Sequence, residues 1–203
     1  LDTSTNAITG VVDFTTNTTA APGSAGHVIF DNGTTDVVFG VSTIAGDLTV
    51  ISGNVAGITD NGTVKVDGDV SLTTDANSGV INMNQLAQTA LPGNTLLLNT
   101  DGSGAATIVN TQGVNLAGNT GIGTTSITAT TGTITQTGAL IVGGTGSFKT
   151  TTDDQAITLD TSTKAITGEV DFTTNTSAAA GSGAGHVIFE NGTKDGVVAL
   201  IHI

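Results

Sequence analysis

Carboxylates are the side chains best placed to do chemistry in this sequence. Asp31 and Asp36 flank an Asn32-Gly33 turn, Asp60, Asp67 and Asp69 surround a predicted hairpin, and Asp153 adjoins Asp154. Calcium is held by several oxygen ligands at once, and turns rich in Asp and Asn supply them. Asp31, Asp36, Asp60, Asp67 and Asp69 are therefore the candidate calcium ligands, and no other cofactor is expected. The same residue types are the ordinary material of tight turns, where a short side chain bonds to nearby backbone. Both readings are open at this point. Neither an EF-hand loop nor the nonapeptide calcium repeat is present.

The rest of the catalytic inventory is thin. The histidines are His27, His186 and His202, and the first two occupy one position of an internal repeat, which suits a structural residue better than a general base. None has metal-ligand spacing. Gly121-Ile122-Gly123 and Gly181-Ser182-Gly183-Ala184-Gly185 lack the Lys-Ser/Thr ending and the following helix of a phosphate loop, so they read as corners or linkers. Paired acids on a β-helix could serve a polysaccharide-active enzyme, but the sequence has no Arg, Trp or Tyr to hold a sugar. Five sequons begin at Asn17, Asn32, Asn61, Asn175 and Asn191, as a Thr/Asn-rich chain produces readily. The expectation is a protein that is not an enzyme.

Charge narrows the partners. The formal net charge is −13, and the only basic side chains besides histidine are Lys65, Lys149, Lys164 and Lys194. No basic footprint for nucleic acid can be assembled from them, and an anionic membrane surface is disfavoured for the same reason. No apolar run approaches the roughly 20 residues of a membrane span, so direct insertion is not expected. The opening LDTSTNAITG has neither the basic nor the apolar region of a signal peptide, which suggests a chain that begins within a longer protein. Absence of cysteine removes disulfides and thiolate chemistry.

The elements that must position these residues are short strands. Hydrophobic residues make up 37% of the chain but aromatics only 3%, so the core must come from Val, Ile, Leu and Ala. β-Branched triplets such as Leu48-Thr49-Val50, Val64-Lys65-Val66 and Ser126-Ile127-Thr128 recur between Gly- and Asn-rich turns. In Ser126-Ile127-Thr128-Ala129 and Thr133-Ile134-Thr135-Gln136 the isoleucine is expected to face inward and the threonines outward. The one stretch with helical leanings, Asn84 to Leu91, is stopped by Pro92-Gly93 and is expected to be a short excursion or cap-like insertion. Threonine rows of this kind can order water, but their spacing here is too irregular for a long ladder.

Repetition is the strongest signal. LDTSTNAITGVVDFTTNTT from Leu1 returns from Leu159 with changes only at Asn6/Lys164, Val11/Glu169 and Thr19/Ser177. His27 to Thr34 then returns as His186 to Thr193, so the long period is roughly 158 residues. Residues 1–158 form one copy and 159–203 the start of a second, in one continuous array. Within it, apolar triplets begin at Leu48, Val70, Leu96 and Val114, a spacing of roughly 18 to 26 residues that suits one coil of a solenoid. Close tandem copies persist where each coil touches only its neighbours. The expected fold is all-β, a parallel β-helix or β-solenoid with coils of roughly 20 residues. Coils spaced about 4.8 Å apart would stack into a narrow rod.

Two phrases carry a family resemblance. GTITQTGALIVGGTGSF, Gly132 to Phe148, resembles the repeats of filamentous haemagglutinin-like surface proteins of Gram-negative bacteria, and DQAITLDTSTKAITGEVDFTT, Asp154 to Thr174, is similar to their Asp- and Thr-rich coils. The resemblance implies a right-handed parallel β-helix, exported, and used in adhesion or matrix. It implies no catalytic residue. The expected role is a rigid stalk or extracellular fibre of a secreted or cell-surface bacterial protein, whose partners are neighbouring repeats, further copies of itself, or a host or matrix glycan. The alternatives are a self-assembling filament subunit, a polysaccharide-active β-helix enzyme and a tandem β-sandwich adhesin.

Overall fold

The structure is a computed structural model that describes residues 1–17, 25–75, 78–89, 93–121, 123–161, 163–175, 185–191 and 201–202. The described secondary structure is β throughout, and every pairing is parallel. Parallel pairing between successive coils rules out the tandem β-sandwich, whose strands pair antiparallel.

Two ladders run the length of the molecule. The first face carries Val11–Val12, Val37–Phe39, Ile58–Asp60, Ile81–Gln88, Ala106–Asn110, Thr125–Ala129, Gly146–Asp153, Val170–Asn175 and Ile201–His202, paired in that order. The second carries Val28–Asp31, Leu48–Ser52, Val70–Thr74, Leu96–Thr100, Val114–Gly121, Ile134–Gln136, Ile157–Leu159 and Val187–Phe189. The chain alternates between them, so each return to a face is one coil. Leu48 lies beside Val70, and Thr125 beside Gly146, so one coil takes about 21 or 22 residues, close to the sequence expectation. The ladders pass through Leu159 without interruption.

Short strands at the corners complete the coil. Ser42–Ile44 and Val64–Val66 form a third ladder with Leu86 to Gln88, and Leu140–Val142 and Lys164–Ile166 form another with Asn119 to Gly121.

Period-two alternation decides what is inside. Leu48–Ser52, Val70–Thr74, Ala106–Asn110 and Thr125–Ala129 all bury every second residue. Ile127 and Ile134 are fully buried, as the alternation requires. One continuous core of Val, Ile and Leu results, each fully buried side chain contributing about 1.5–3 kcal/mol. Phenylalanines fill its wide places. Phe148 stacks on Phe172 one coil on, with centroids 5.8 Å apart. The neighbouring inward position is then Gly146, where an added Cβ would lie 3.1 Å from the Phe148 ring.

Two expectations are corrected. Asp60, Asp67 and Asp69 surround no hairpin: Ile58–Asp60, Val64–Val66 and Val70–Thr74 are successive strands of one coil, the first two on the first face and the third on the second, each paired with the coils before and after it. Asn84 to Gln88 is no insertion but the second half of the strand Ile81–Gln88. A bulge leaves Asn84 and Gln85 both exposed, which breaks the alternation and imitates a non-strand pattern. Ala90, Leu91 and Pro92 lie outside the described residues.

Candidate functional site

The polar groups that the fold holds most firmly are side chains bonded to the backbone of the next coil. Asp60 accepts from the amides of Asn84 (3.0 Å) and Gln85 (2.7 Å), so one carboxylate holds both bulge amides. At another corner His27 Nδ1 accepts from the Asp47 amide, Asp47 Oδ1 from the Asp69 amide, and Asp69 Oδ1 from the Thr95 amide and hydroxyl. Each side chain thus satisfies the coil above it. Asp67 pairs with Lys65 Nζ at 3.2 Å and accepts from the Thr89 hydroxyl at 2.8 Å. Charge-assisted bonds of this sort are the stronger ones.

The five candidate calcium ligands are therefore dispersed. Asp31 accepts from the Gly33 amide within its own turn, and Asp36 offers its backbone carbonyl to Asn32. Asp67 and Asp69 share a corner, whereas Asp60 sits at the strand end before it. Among the described residues no three His, Asp or Glu side chains are gathered to hold a metal ion.

Buried asparagines are the feature that sequence reading missed. Asn110 is fully buried; its Oδ1 accepts from the Gln88 amide (2.8 Å), and its Nδ2 donates to the Gln88 carbonyl (3.1 Å) and the Gly113 carbonyl (2.9 Å). One side-chain amide thus stands in for a whole residue of strand. Asn32, also fully buried, does the same for Ile8, and Asn191 for Ile166. At Gln88 and at Ile166 a corner ladder ends, and the asparagine satisfies an edge that would otherwise present unpaired groups; at Ile8 it bridges to a segment that forms no strand. Asn32 stood out in the sequence only as a turn residue and sequon; its recurrence as Asn191, inside a strand-flanked apolar phrase, was the available signal. Burial removes Asn32 from the glycan acceptors, while Asn61 is exposed. The hydroxyl residues of the Asn17, Asn175 and Asn191 sequons lie outside the described residues.

The long repeat recurs at the level of contacts. Thr16 donates to the Gly26 carbonyl, and Thr174 to that of Gly185. Phe14 lies 5.5 Å from Phe30, and Phe172 lies 5.0 Å from Phe189. Asn6, however, is replaced by Lys164. Asn6 Nδ2 donates to the Leu1 and Asp31 carbonyls, whereas Lys164 is buried, donates to the Thr161 carbonyl and lies 5.7 Å from the Phe189 ring centre. Burial holds the Lys164 ammonium below the usual lysine range, against the opposing pull of Glu190 and Asp160.

Of the histidines, His27 is exposed and its Nδ1 is taken up by the Asp47 amide, and His186 is exposed; the His202 side chain lies outside the described residues. No curated protein and no solved structure matches the chain. A family model described as repeats of unknown function (DUF5649) matches it twice, over residues 25–94 and 103–179. Together the two stretches cover more than two thirds of the chain, which belongs to this family of DUF5649 repeats.

Proposed function

We propose that this chain is a rigid rod, a structural segment of a secreted or cell-surface bacterial protein that serves as an adhesin stalk or extracellular fibre. The observation that carries the reading is the reuse of coil-to-coil contacts: the Asn32–Ile8 bridge and the Phe14–Phe30 contact of one copy recur as Asn191–Ile166 and Phe172–Phe189. An array that repeats its internal contacts can lengthen without redesign, and length is what a stalk supplies. The acidic surface supports it further, since like-charged rods stay apart in solution. The filamentous haemagglutinin-like phrases favour export and adhesion over an intracellular role. Neighbouring repeats are the first partners, and a matrix or host glycan the candidate ligand at the tip of the parent protein.

The carboxylates serve the corners in this reading, without calcium, and no side chain acts as a catalyst. Antibody labelling of intact cells that express the full-length protein tests the assignment. Surface signal that protease treatment of unbroken cells removes is the expected result, and signal only after lysis would overturn it.

A further inference from the structure

The strand-ending asparagines recur about twice per long repeat, at Asn32, Asn110 and Asn191, and the elements between them are the same set laid on exchanged faces. From Val28 to Thr100 the single strands Val28–Asp31, Leu48–Ser52, Val70–Thr74 and Leu96–Thr100 lie on the second face. The first face there carries split strands: Val37–Phe39 with Ser42–Ile44, Ile58–Asp60 with Val64–Val66, and the bulged Ile81–Gln88. From Ala106 to Asn175 the arrangement is reversed. The single strands Ala106–Asn110, Thr125–Ala129, Gly146–Asp153 and Val170–Asn175 lie on the first face. The second carries the bulged Val114–Gly121, then Ile134–Gln136 with Leu140–Val142 and Ile157–Leu159 with Lys164–Ile166.

Corresponding elements keep a nearly constant spacing. Val28 corresponds to Ala106, Leu48 to Thr125, Ile58 to Ile134 and Val70 to Gly146, an interval of about 76 to 78 residues each time. The two stretches matched by the family, which begin at positions 25 and 103, keep the same interval. Each block holds four single strands and three split ones in alternation, so it makes seven passes across the coil, or three and a half turns.

We propose that this three-and-a-half-turn block is the true repeating unit, and that its odd half turn makes the array display every unit-level surface alternately on two opposite sides of the rod. Two units make seven full turns, which returns the chain to the same face and explains why near-identical wording recurs at roughly 158 residues. With coils about 4.8 Å apart, equivalent surfaces on opposite sides are offset by about 17 Å along the rod, and those on one side recur about every 34 Å. The proposal rests on the rod reading for its use: a two-sided rod links partners on both flanks, where a one-sided rod would lie along a single surface.

Paired biotin labels on the full chain, attached through cysteines introduced into a sequence that has none, test the display directly. Thr49 and Ser126 are unit equivalents on opposite faces, as are Ser71 and Ser147. Thr59 and Ser126 share the first face three coils apart, about 14 Å, which is too close for two bound proteins. Rods labelled at Thr49/Ser126 or Ser71/Ser147 should bind two monovalent streptavidin molecules, and those labelled at Thr59/Ser126 one. One molecule on the unit-equivalent pairs overturns the proposal, whatever role the rod serves.

Discussion

Replacing Asn110 with alanine probes the device that ends each corner ladder. The Asn110 amide satisfies the Gln88 N–H, the Gln88 carbonyl and the Gly113 carbonyl, and Asn110 itself is fully buried. Gln88 is 3% exposed, so its two groups find no water when the amide is removed, whereas Gly113 is partly exposed and its carbonyl is rehydrated. At about 1–3 kcal/mol for each buried group left unpaired, N110A should cost about 4 kcal/mol. Asn110→Asp keeps the acceptor for the Gln88 amide but sets a carboxylate against two carbonyls. Its carboxyl is then pushed up, the fold binds a proton that the unfolded chain releases, and the deficit is full at neutral pH and shrinks as pH falls towards about 4. Urea unfolding gives the free energy, and hydrogen exchange at the Gln88 amide localises it, which matters in a solenoid that need not unfold in one step. A loss below about 1 kcal/mol, no larger than for the outward Thr107→Ala control, would refute the bridging role.

Three further outcomes follow from the same contacts. Lys164→Asn restores the residue found at Asn6, whose amide reaches two carbonyls, and should stabilise the protein at neutral pH in thermal melts. Because burial lowers the Lys164 proton affinity in the fold, that advantage is full below the lowered folded value, shrinks as pH rises above it and is gone by the unfolded value of 10.5. Gly57 has a φ of +66°, and an added Cβ would run into the Val80 carbonyl, so Gly57→Ala should lower stability by about 2–3 kcal/mol in urea titrations. Phe148→Ala opens the core between Ile127 and Phe172 and should cost about 3–5 kcal/mol, with Phe148→Leu costing less.

Legibility in the sequence followed how much of each feature lies in local pattern. Triplets such as Leu48-Thr49-Val50 announced their strands because alternation and flanking turns agreed, and the near-verbatim return of Leu1 to Thr18 announced the array. The Asn84-Gln85 bulge was hidden because two consecutive outward residues destroy the period on which strand reading depends. The asparagine bridges were hidden because Asn next to Gly reads as a turn, and only the coil opposite shows that Asn32 is buried. The half-length unit was harder still. Its copies share little wording, with Gly146 in the place of Val70 and Thr125 in that of Leu48, and the small Gly146 is compensated by the Phe148 ring at the neighbouring inward position of the same strand. The corner carboxylates were noticed, but their partners, the Asn84, Gln85 and Thr95 amides, lie some 24 to 26 residues away in sequence and one coil away in space.

The stacking of coils is tested most directly by distances along a single outward column. Val38, Thr59, Asn82, Thr107, Ser126, Ser147 and Asp171 are successive partners on the first face. Pulsed electron paramagnetic resonance on spin labels at Thr59/Ser147, Val38/Ser147 and Val38/Asp171 should give about 19, 24 and 29 Å, rising by one coil spacing at each step. Distances that fail to rise by that increment, or that differ from it by more than the length of a label arm, would contradict the solenoid and every functional reading built upon it.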